Sequence, residues 1–250
     1  MPSDDHRGAV TADHLLGGRV RYTQPRDGLR AAIDPVLLAA AIPAKAGERV
    51  FEGGTGAGAA LLCLAARVEG LRGTGIDRAP LLVRLARANA IANGWPGLGF
   101  AVGDLNACPV GGTMDHAFAN PPYHAPGGSR SPSDGREAAK RSSPGLLSIW
   151  AAALARPLRH RGTLTFILAP WLLEAALMAF RDAQVPVETV FPVWPMKGRE
   201  ARLILVRGRK NGRAHLRFAS GLILHTDTGA FRPEAEAILR GGAALCLGRG

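Results

Sequence analysis

Residues 52–58, with the sequence EGGTGAG, constrain the fold of this chain more than any other segment. A short apolar run at residues 50–51 precedes them, and residues 59–68 after them have the apolar spacing of a packed helix. Glycines adopt positive φ angles without steric cost and let other groups approach the backbone closely. The segment therefore predicts a tight turn from a buried strand into a helix, which is either a ligand-binding turn or a purely structural one.

Strands and helices alternate through the following part of the chain, roughly every 20–30 residues. This alternation predicts an α/β fold with a mostly parallel central sheet and helices on both faces. An antiparallel hairpin is predicted at the edge of that sheet. The predicted strands are residues 74–77, 100–102, 116–119, 163–169, 187–193 and 201–207, and the main predicted helices after the turn are residues 59–68, 81–93 and 146–158.

Three of the predicted strands end in polar side chains, those of Glu52, Asp77 and Asn120. Because ligands of such sheets bind at the carboxyl ends of the strands, these side chains should converge on one crevice. Asp77 can accept hydrogen bonds from both hydroxyls of a ribose, or it can cap the helix that starts near residue 80. Asp104 can bond an adenine amine while Leu105 packs on the ring, or it can serve only as a turn residue.

The glycine spacing and the first acid indicate the kind of ligand. A G-x-G-x-G pattern, in place of G-x-G-x-x-G, argues against a dinucleotide. The carboxylate of Glu52 suits a cationic group, such as the amino group of S-adenosylmethionine, better than it suits a pyrophosphate. Gly54, Thr55, Gly56 and Gly58 are then the candidate contacts to that cofactor.

The tetrad Asn120-Pro121-Pro122-Tyr123 predicts a clamp for a planar amine. Two adjacent prolines fix two φ angles at about −65° and remove two N–H donors, so the backbone there is rigid. The side-chain oxygen of Asn120 and the carbonyl of Pro121 form a pair of acceptors, and Tyr123 offers a ring for stacking. Such an arrangement holds the NH₂ group of adenine, of cytosine or of a side-chain amide.

The charge of the chain indicates its partner. The formal net charge is +11, and a net-basic domain of this kind favours a polyanion, most simply RNA or DNA. Residues 124–144 are rich in Gly, Ser, Pro and Arg and predict a long basic loop, which either contacts phosphates or is merely solvated. The candidate phosphate contacts are Arg130, Arg136, Lys140, Arg141 and Lys197.

Other features of the sequence bear on compartment and metal binding. Residues 1–8 are polar and predict no signal peptide. The three cysteines are widely separated, which predicts neither a disulfide framework nor structural zinc and favours the reducing cytoplasm. The apolar residues 163–180 are interrupted by Pro170 and Glu174, so they predict a buried strand and a helix in place of a membrane span. Neither a membrane nor a metal is expected as a partner.

With these residues in view, the chain resembles the class I S-adenosylmethionine-dependent methyltransferases that act on amino groups. The resemblance rests on the order and spacing of residues 52–58, Asp77, Asp104 and the tetrad 120–123. More closely, the chain is similar to the bacterial family of tRNA adenine-N6 methyltransferases that modify A37 of a valine tRNA. This similarity extends over nearly the whole chain and includes residues 28–30 and 34–38, the basic loop, and residues 197–209.

Two residues depart from the pattern of that family. Glu52 stands where Asp is common, which preserves the charge. Gly53 stands where an apolar residue is usual, and it is expected to loosen the end of its strand.

The resemblance implies a Rossmann-like methyltransferase fold and methyl transfer from S-adenosylmethionine to N6 of an adenine in RNA, most simply a tRNA. Glu52 would orient the methionine moiety, residues 54–58 would pass beneath the cofactor, and Asp77 and Asp104 would hold its nucleoside. Asn120 and Pro121 would bind the target amine. Residues 1–45 are predicted as an N-terminal extension with a helix that packs on the core, and 46–250 as the methyltransferase domain, effectively one unit. A monomer is plausible, although the sequence leaves the oligomeric state open.

Three alternatives remain open at this point. Release-factor methyltransferases use the same tetrad to bind a glutamine amide, but the roughly 50 residues before the glycine turn are few for a separate helical domain, and the basic charge favours RNA. A small-molecule N-methyltransferase is the second alternative. A non-catalytic RNA-binding module that retains the fold is the third, and Gly53 is the one oddity that supports it.

Overall fold

The centre of the molecule, in the computed structural model, is a nine-stranded sheet with helices on both faces. The structure describes residues 10–26, 33–107, 113–122, 145–213 and 215–248. In chain order the strands and α-helices are β1 (Val10–Leu15), β2 (Val20–Pro25), α1 (Ile33–Ala41), β3 (Arg49–Gly53), α2 (Ala59–Arg67), β4 (Arg72–Asp77), α3 (Pro80–Ala92), β5 (Leu98–Val102), β6 (Met114–Ala119), α4 (Gly145–Ala155), β7 (Leu158–Leu168), α5 (Leu173–Asp182), β8 (Val187–Trp194), β9 (Leu203–Arg209), β10 (Arg217–Phe218), β11 (Leu222–Ile223) and α6 (Pro233–Leu239).

The strand order across the sheet is β10-β8-β9-β7-β6-β3-β4-β5, with β11 also paired to β8. All neighbours are parallel except β9, which runs antiparallel to β7 and β8. The predicted α/β fold, with its mostly parallel sheet and its antiparallel hairpin, is therefore confirmed. The chain leaves β3 toward β5 on one side and returns to β6 on the other, so a topological switch point lies between β3 and β6, where ligands bind in open α/β sheets.

The two faces of the sheet bury separate hydrophobic cores because side chains alternate along each strand. On β3, Val50 belongs to the core formed with α1, α2, α3 and α6, whereas Phe51 belongs to the core formed with α4 and α5. Glu52 follows on the first face and Gly53 on the second. Glu52 therefore faces the core formed with α1, α2, α3 and α6, and Gly53 faces the core formed with α4 and α5.

Two parts of the fold differ from the sequence-based expectation. Strand β7 begins at Leu158 instead of residue 163, because Leu158 pairs with Met114 across an irregularity in the register. An antiparallel hairpin, β1–β2, precedes α1 and was not predicted. A turn signal was present at Gly17-Gly18, but only the alternate residues of β2 are buried, so the apolar pattern is short.

The helix predicted near the N-terminus is α1, which packs on α2 and α6. Its C-terminal carbonyls are capped by two arginines: Arg67 donates to the carbonyls of Ala39 and Ile42, and Arg207 donates to that of Ala41. The division at residue 45 stays a prediction. Among the described residues, no helix combines the length and the apolar character that a membrane span requires.

Candidate active site at the carboxyl edge of the sheet

The strand register brings the predicted site residues to one edge of the sheet. Gly53 pairs with Ala119 of β6 on one side and with Ile76 of β4 on the other. The residues that follow, Asn120, Gly54 and Asp77, therefore end three neighbouring strands. Since adjacent strands lie about 4.8 Å apart, these residues span roughly 10 Å at the switch point. Asp104 lies two residues beyond β5, the next strand along this edge.

The glycine-rich segment forms the predicted turn from β3 into α2. Gly54, Gly56 and Gly58 have φ angles of +64°, +56° and +90°, which L-residues with a side chain adopt only at a cost. Two main-chain hydrogen bonds close the turn: the N–H of Thr55 donates to the carbonyl of Ile76 at 3.0 Å, and the N–H of Gly58 donates to the carbonyl of Thr55 at 2.9 Å.

The surroundings of the glycines differ. A Cβ atom placed on Gly54 would lie 2.5 Å from the indole ring of Trp150 in α4, whereas one placed on Gly56 would have no atom within 4 Å. Gly56 is therefore the point at which a ligand can approach the turn most closely. Trp150 was missed by the sequence reasoning, because an aromatic residue in the apolar helix α4 looks like an ordinary core residue.

Glu52 lies beneath the turn and is only 4% exposed. Its carboxyl group accepts a hydrogen bond of 2.6 Å from the Thr55 hydroxyl and another from the backbone of Leu61 in the first turn of α2. Burial raises the pKa of Glu52 to about 8, and the nearby Asp77 carboxylate adds to this effect. The carboxyl group therefore joins the strand, the turn and the helix from the interior side.

The interior neighbours of Glu52 are Tyr22 of β2 and Cys63 of α2. Burial, followed by the charge of Glu52, raises the pKa of the Tyr22 hydroxyl and raises the pKa of the Cys63 thiol to about 12. Both groups are therefore neutral near pH 7.

Asp77 at the end of β4 binds two backbone groups. One carboxylate oxygen accepts the N–H of Gly56 at 2.9 Å, and the other accepts the N–H of Ala79 at 2.9 Å, at the N-terminus of α3. Asp77 is not the N-cap of α3, which is Ala79 and has no side-chain cap, so the helix-capping alternative is not found. The side chain instead closes a short turn onto Ala79 and also holds the glycine turn. Each oxygen keeps a further lone pair that a ligand hydroxyl can use.

Asp104 forms a short turn of its own after β5. Its carboxylate accepts the N–H of Asn106 at 2.9 Å and a hydrogen bond of 2.6 Å from the guanidinium of Arg78. These groups, the backbone N–H first, lower the pKa of Asp104 below its ordinary value. Leu105 is only 8% exposed and packs beneath Gly53.

The departure at Gly53 has a steric explanation. A Cβ atom on Gly53 would lie 3.1 Å from the side chain of Leu105 and 3.2 Å from that of Leu154. These two leucines fill the space that a larger residue would occupy, so the end of the strand is buried and well packed. The expected loosening of the strand end is therefore not found.

Asn120 follows β6 directly and is half-buried, with Pro121 buried behind it and Pro122 exposed. No hydrogen bond engages the side-chain amide of Asn120 within the part of the chain that the structure describes. Its amide and the Pro121 carbonyl remain candidate acceptors beside Gly54. Tyr123, the last residue of the tetrad, lies outside the described residues.

Lys197 lies in the segment that joins β8 to β9, at the same edge of the sheet as Asn120, because β8 runs parallel to β7 and β6. It is exposed, as are Arg199 and Arg202 of the same segment. The other predicted phosphate contacts, Arg130, Arg136, Lys140 and Arg141, lie outside the described residues. Across the described ranges, no group of three or more His, Cys, Asp or Glu side chains is placed to hold a metal ion.

Known proteins share parts of this chain and its fold. No protein-family model matches the chain. A release factor glutamine methyltransferase from Rhodospirillum rubrum is 40% identical over 119 residues, which are 47% of this chain and 35% of that protein. The match thus spans about one third of the length of that relative.

Two solved structures share the fold. A predicted O-methyltransferase from Agrobacterium tumefaciens has a TM-score of 0.71 and 23% identity, over 85% of this chain and 98% of that one. Geranyl diphosphate C-methyltransferase from Streptomyces coelicolor, solved with S-adenosylhomocysteine, has a TM-score of 0.53 and 11% identity, over 70% and 79% of the two chains. The chain therefore has the Rossmann-like α/β fold of class I methyltransferases.

The raised pKa of Glu52 predicts how stability depends on pH. Because the folded-state pKa of about 8 exceeds the unfolded value, the folded protein binds the proton more tightly, and stability falls as pH rises between these values. We expect the wild type to lose roughly 3 kcal/mol more than Glu52→Gln between pH 5 and pH 8. Urea unfolding at both pH values measures this difference; equal losses in the two proteins would contradict it.

Alanine substitutions at Gly54 and Gly56 test whether Trp150 packs against the turn at one glycine and leaves open space at the other. Gly56→Ala should cost only the strain of a positive φ, about 1 kcal/mol, since its Cβ meets open space. Gly54→Ala carries a similar strain and also meets Trp150, so it should cost roughly 2 kcal/mol or more. Thermal unfolding measures both. Equal stabilities would mean that Trp150 does not pack on Gly54.

Proposed function

We propose that this protein is an S-adenosylmethionine-dependent methyltransferase that acts on an exocyclic amine, namely N6 of an adenine in RNA and most simply in a tRNA. The observation that carries the proposal is the position of Asn120 and Pro121. They end the strand next to the glycine turn, at the switch point of a methyltransferase fold.

The residues at this edge fit the proposed cofactor. Gly56 leaves open space over the turn, so a ligand can lie against the backbone there. Asp77 would hold the ribose hydroxyls with its free lone pairs, and Asp104, beside Leu105, would hold the adenine. Glu52 would act on the methionine moiety through the turn, which it shapes by its bond to Thr55. S-adenosylmethionine supplies an electrophilic methyl group on its sulfonium centre.

The tetrad would bind and orient the target amine. The side-chain oxygen of Asn120 and the carbonyl of Pro121 would accept the two N–H groups, which directs the nitrogen lone pair away from the tetrad and toward the turn. Tyr123 would stack on the base. Transfer of a methyl group to such an amine needs positioning and preorganised polar groups more than a strong base.

Charge supports RNA as the carrier of that amine. The net charge of +11 suits a polyanion, and Lys197, Arg199 and Arg202 are exposed at the same edge as Asn120. Arg130, Arg136, Lys140 and Arg141 of residues 124–144 would add phosphate contacts. A base within a duplex must first be extruded, so an adenine in a loop or a single strand is the expected target.

The Rhodospirillum relative favours a second candidate, methylation of a glutamine side chain in a protein. A glutamine amide presents the same planar NH₂ group to Asn120 and Pro121, so the clamp alone does not separate the two substrates. The difference must come from the surface around the clamp. At the same edge of the sheet the segment between β8 and β9 exposes Lys197, Arg199 and Arg202 against one acid, Glu200, which favours RNA.

Replacing Asn120 tests the clamp. We expect Asn120→Ala to lower the transfer rate by at least about 100-fold, because the target amine loses an acceptor, while the affinity for S-adenosylmethionine changes little. Single-turnover methylation measures the first quantity, and calorimetry measures the second. Full activity in this variant would remove the clamp from the mechanism.

The substrate class is tested by mass spectrometry in a strain that lacks the protein. We expect one N6-methyladenosine signal to disappear from digested tRNA and to return with the wild-type gene but not with Asn120→Ala. Release factors from the same strains are analysed for methylated glutamine. Loss of glutamine methylation in the release factors, with unchanged RNA, would show that the substrate is a protein. If calorimetry finds no binding of S-adenosylmethionine, a non-catalytic role would be favoured instead.

A further inference from the structure

We infer that Asn89 is a positioning residue that fixes the glycine turn to the N-terminal hairpin β1–β2. This inference rests on the proposed function, since it assigns Asn89 a part in cofactor binding. Asn89 lies in α3, is only 2% exposed and touches neither the open side of Gly56 nor the tetrad.

The amide of Asn89 uses all of its donors. Its oxygen accepts the N–H of Thr23 at 2.8 Å. Its nitrogen donates to the carbonyl of Thr23 at 2.9 Å and to the carbonyl of Ala57 in the glycine turn at 3.1 Å. A buried side chain that fills both donor positions is held in one orientation. One amide thus connects strand β2, helix α3 and the turn.

Asn93, the residue that caps the C-terminus of α3 one helical turn beyond Asn89, makes a partly matching contact. Its amide accepts the N–H of Arg21 at 2.9 Å and donates to the carbonyl of Arg21 at 2.7 Å. Arg21 and Thr23 are alternate residues of β2, so the two asparagines bind the strand edge in the manner of a neighbouring strand. Asn93 also donates to the carbonyl of Asn89, but of the two side chains only that of Asn89 reaches the turn.

The contact with the Ala57 carbonyl fixes the orientation of the peptide group between Ala57 and Gly58. In the peptide that joins Ala57 to Gly58, Asn89 holds the oxygen, and the N–H donates to the carbonyl of Thr55. Gly58 has a φ of +90° and little intrinsic preference of its own. On the preceding side, Asp77 holds the N–H of Gly56. Without Asn89 the peptide after Ala57 can rotate, and the surface presented beside Gly56 changes.

The hairpin supports the same region from a second side. Tyr22, between Arg21 and Thr23, points the other way and lies buried near Glu52. Docking of β2 through the asparagines therefore also places Tyr22 beside the carboxyl group that shapes the turn. The hairpin thus supports the glycine turn from its interior side.

Three variants of the full chain test the inference. Asn89→Ala removes all the contacts, and Asn89→Asp keeps an acceptor for Thr23 but loses both donors. Asn93→Ala is the matched control, which loosens the hairpin without touching the turn. We expect the dissociation constant for S-adenosylmethionine, measured by calorimetry, to rise about tenfold in both Asn89 variants, as loss of one buried hydrogen bond implies, and less than about twofold in Asn93→Ala.

A second measurement does not depend on the cofactor. Amide hydrogen exchange at Gly58, by nuclear magnetic resonance, should accelerate in both Asn89 variants and not in Asn93→Ala, and urea unfolding confirms that each variant is folded. Equal effects of Asn89→Ala and Asn93→Ala on affinity and exchange would overturn the inference. A wild type that does not bind S-adenosylmethionine would overturn the proposed function, and exchange at Gly58 alone would then decide whether Asn89 positions the turn.

Discussion

The hydrogen bond from the Thr55 hydroxyl to the buried carboxyl group of Glu52 is the interaction on which the candidate site depends. The backbone of Thr55 also donates to Ile76 of β4 and accepts from Gly58 at the start of α2, so one residue joins two strands, the turn and a helix. Its side chain requires close approach to β4. A Cβ atom on Gly75 would lie 2.7 Å from the Thr55 oxygen, which explains a glycine there.

Around this centre the two faces of the sheet have separate tasks. On one face, Glu52 and its interior neighbours hold the turn in shape from below. On the other face, Leu105 and Leu154 occupy the space that a side chain at Gly53 would fill, and Trp150 covers one side of Gly54. The open side of Gly56 remains between the strand ends that carry Asp77 and Asn120. Because side chains alternate along the strand, Glu52 and Gly53 pack into the two cores and stabilise the fold. The turn lies beyond the end of the strand, and there Gly56 leaves space for a ligand.

The proposed chemistry depends on a clamp that does not distinguish an adenine amine from a glutamine amide, since both are planar NH₂ groups. The relative from Rhodospirillum is named for methylation of glutamine, while the exposed basic residues at the same edge of the sheet favour RNA. Specificity would then come from the surface around Asn120, which long-range contacts assemble. The hairpin held by Asn89 supports the glycine turn instead, through a contact between segments that lie 66 residues apart in the chain.

Local signals were sufficient for much of this protein. Positive φ angles demand glycine, two prolines stiffen a strand end, and apolar spacing separates strands from helices, so the sequence by itself determined the glycine turn, the parallel sheet and the strand-end position of Asn120. Only the tertiary structure decided that Glu52 is buried, that Trp150 packs on Gly54 and that Asn89 fastens the hairpin. Those outcomes depend on packing between segments distant in the chain, and no local preference of a residue encodes its distant neighbours.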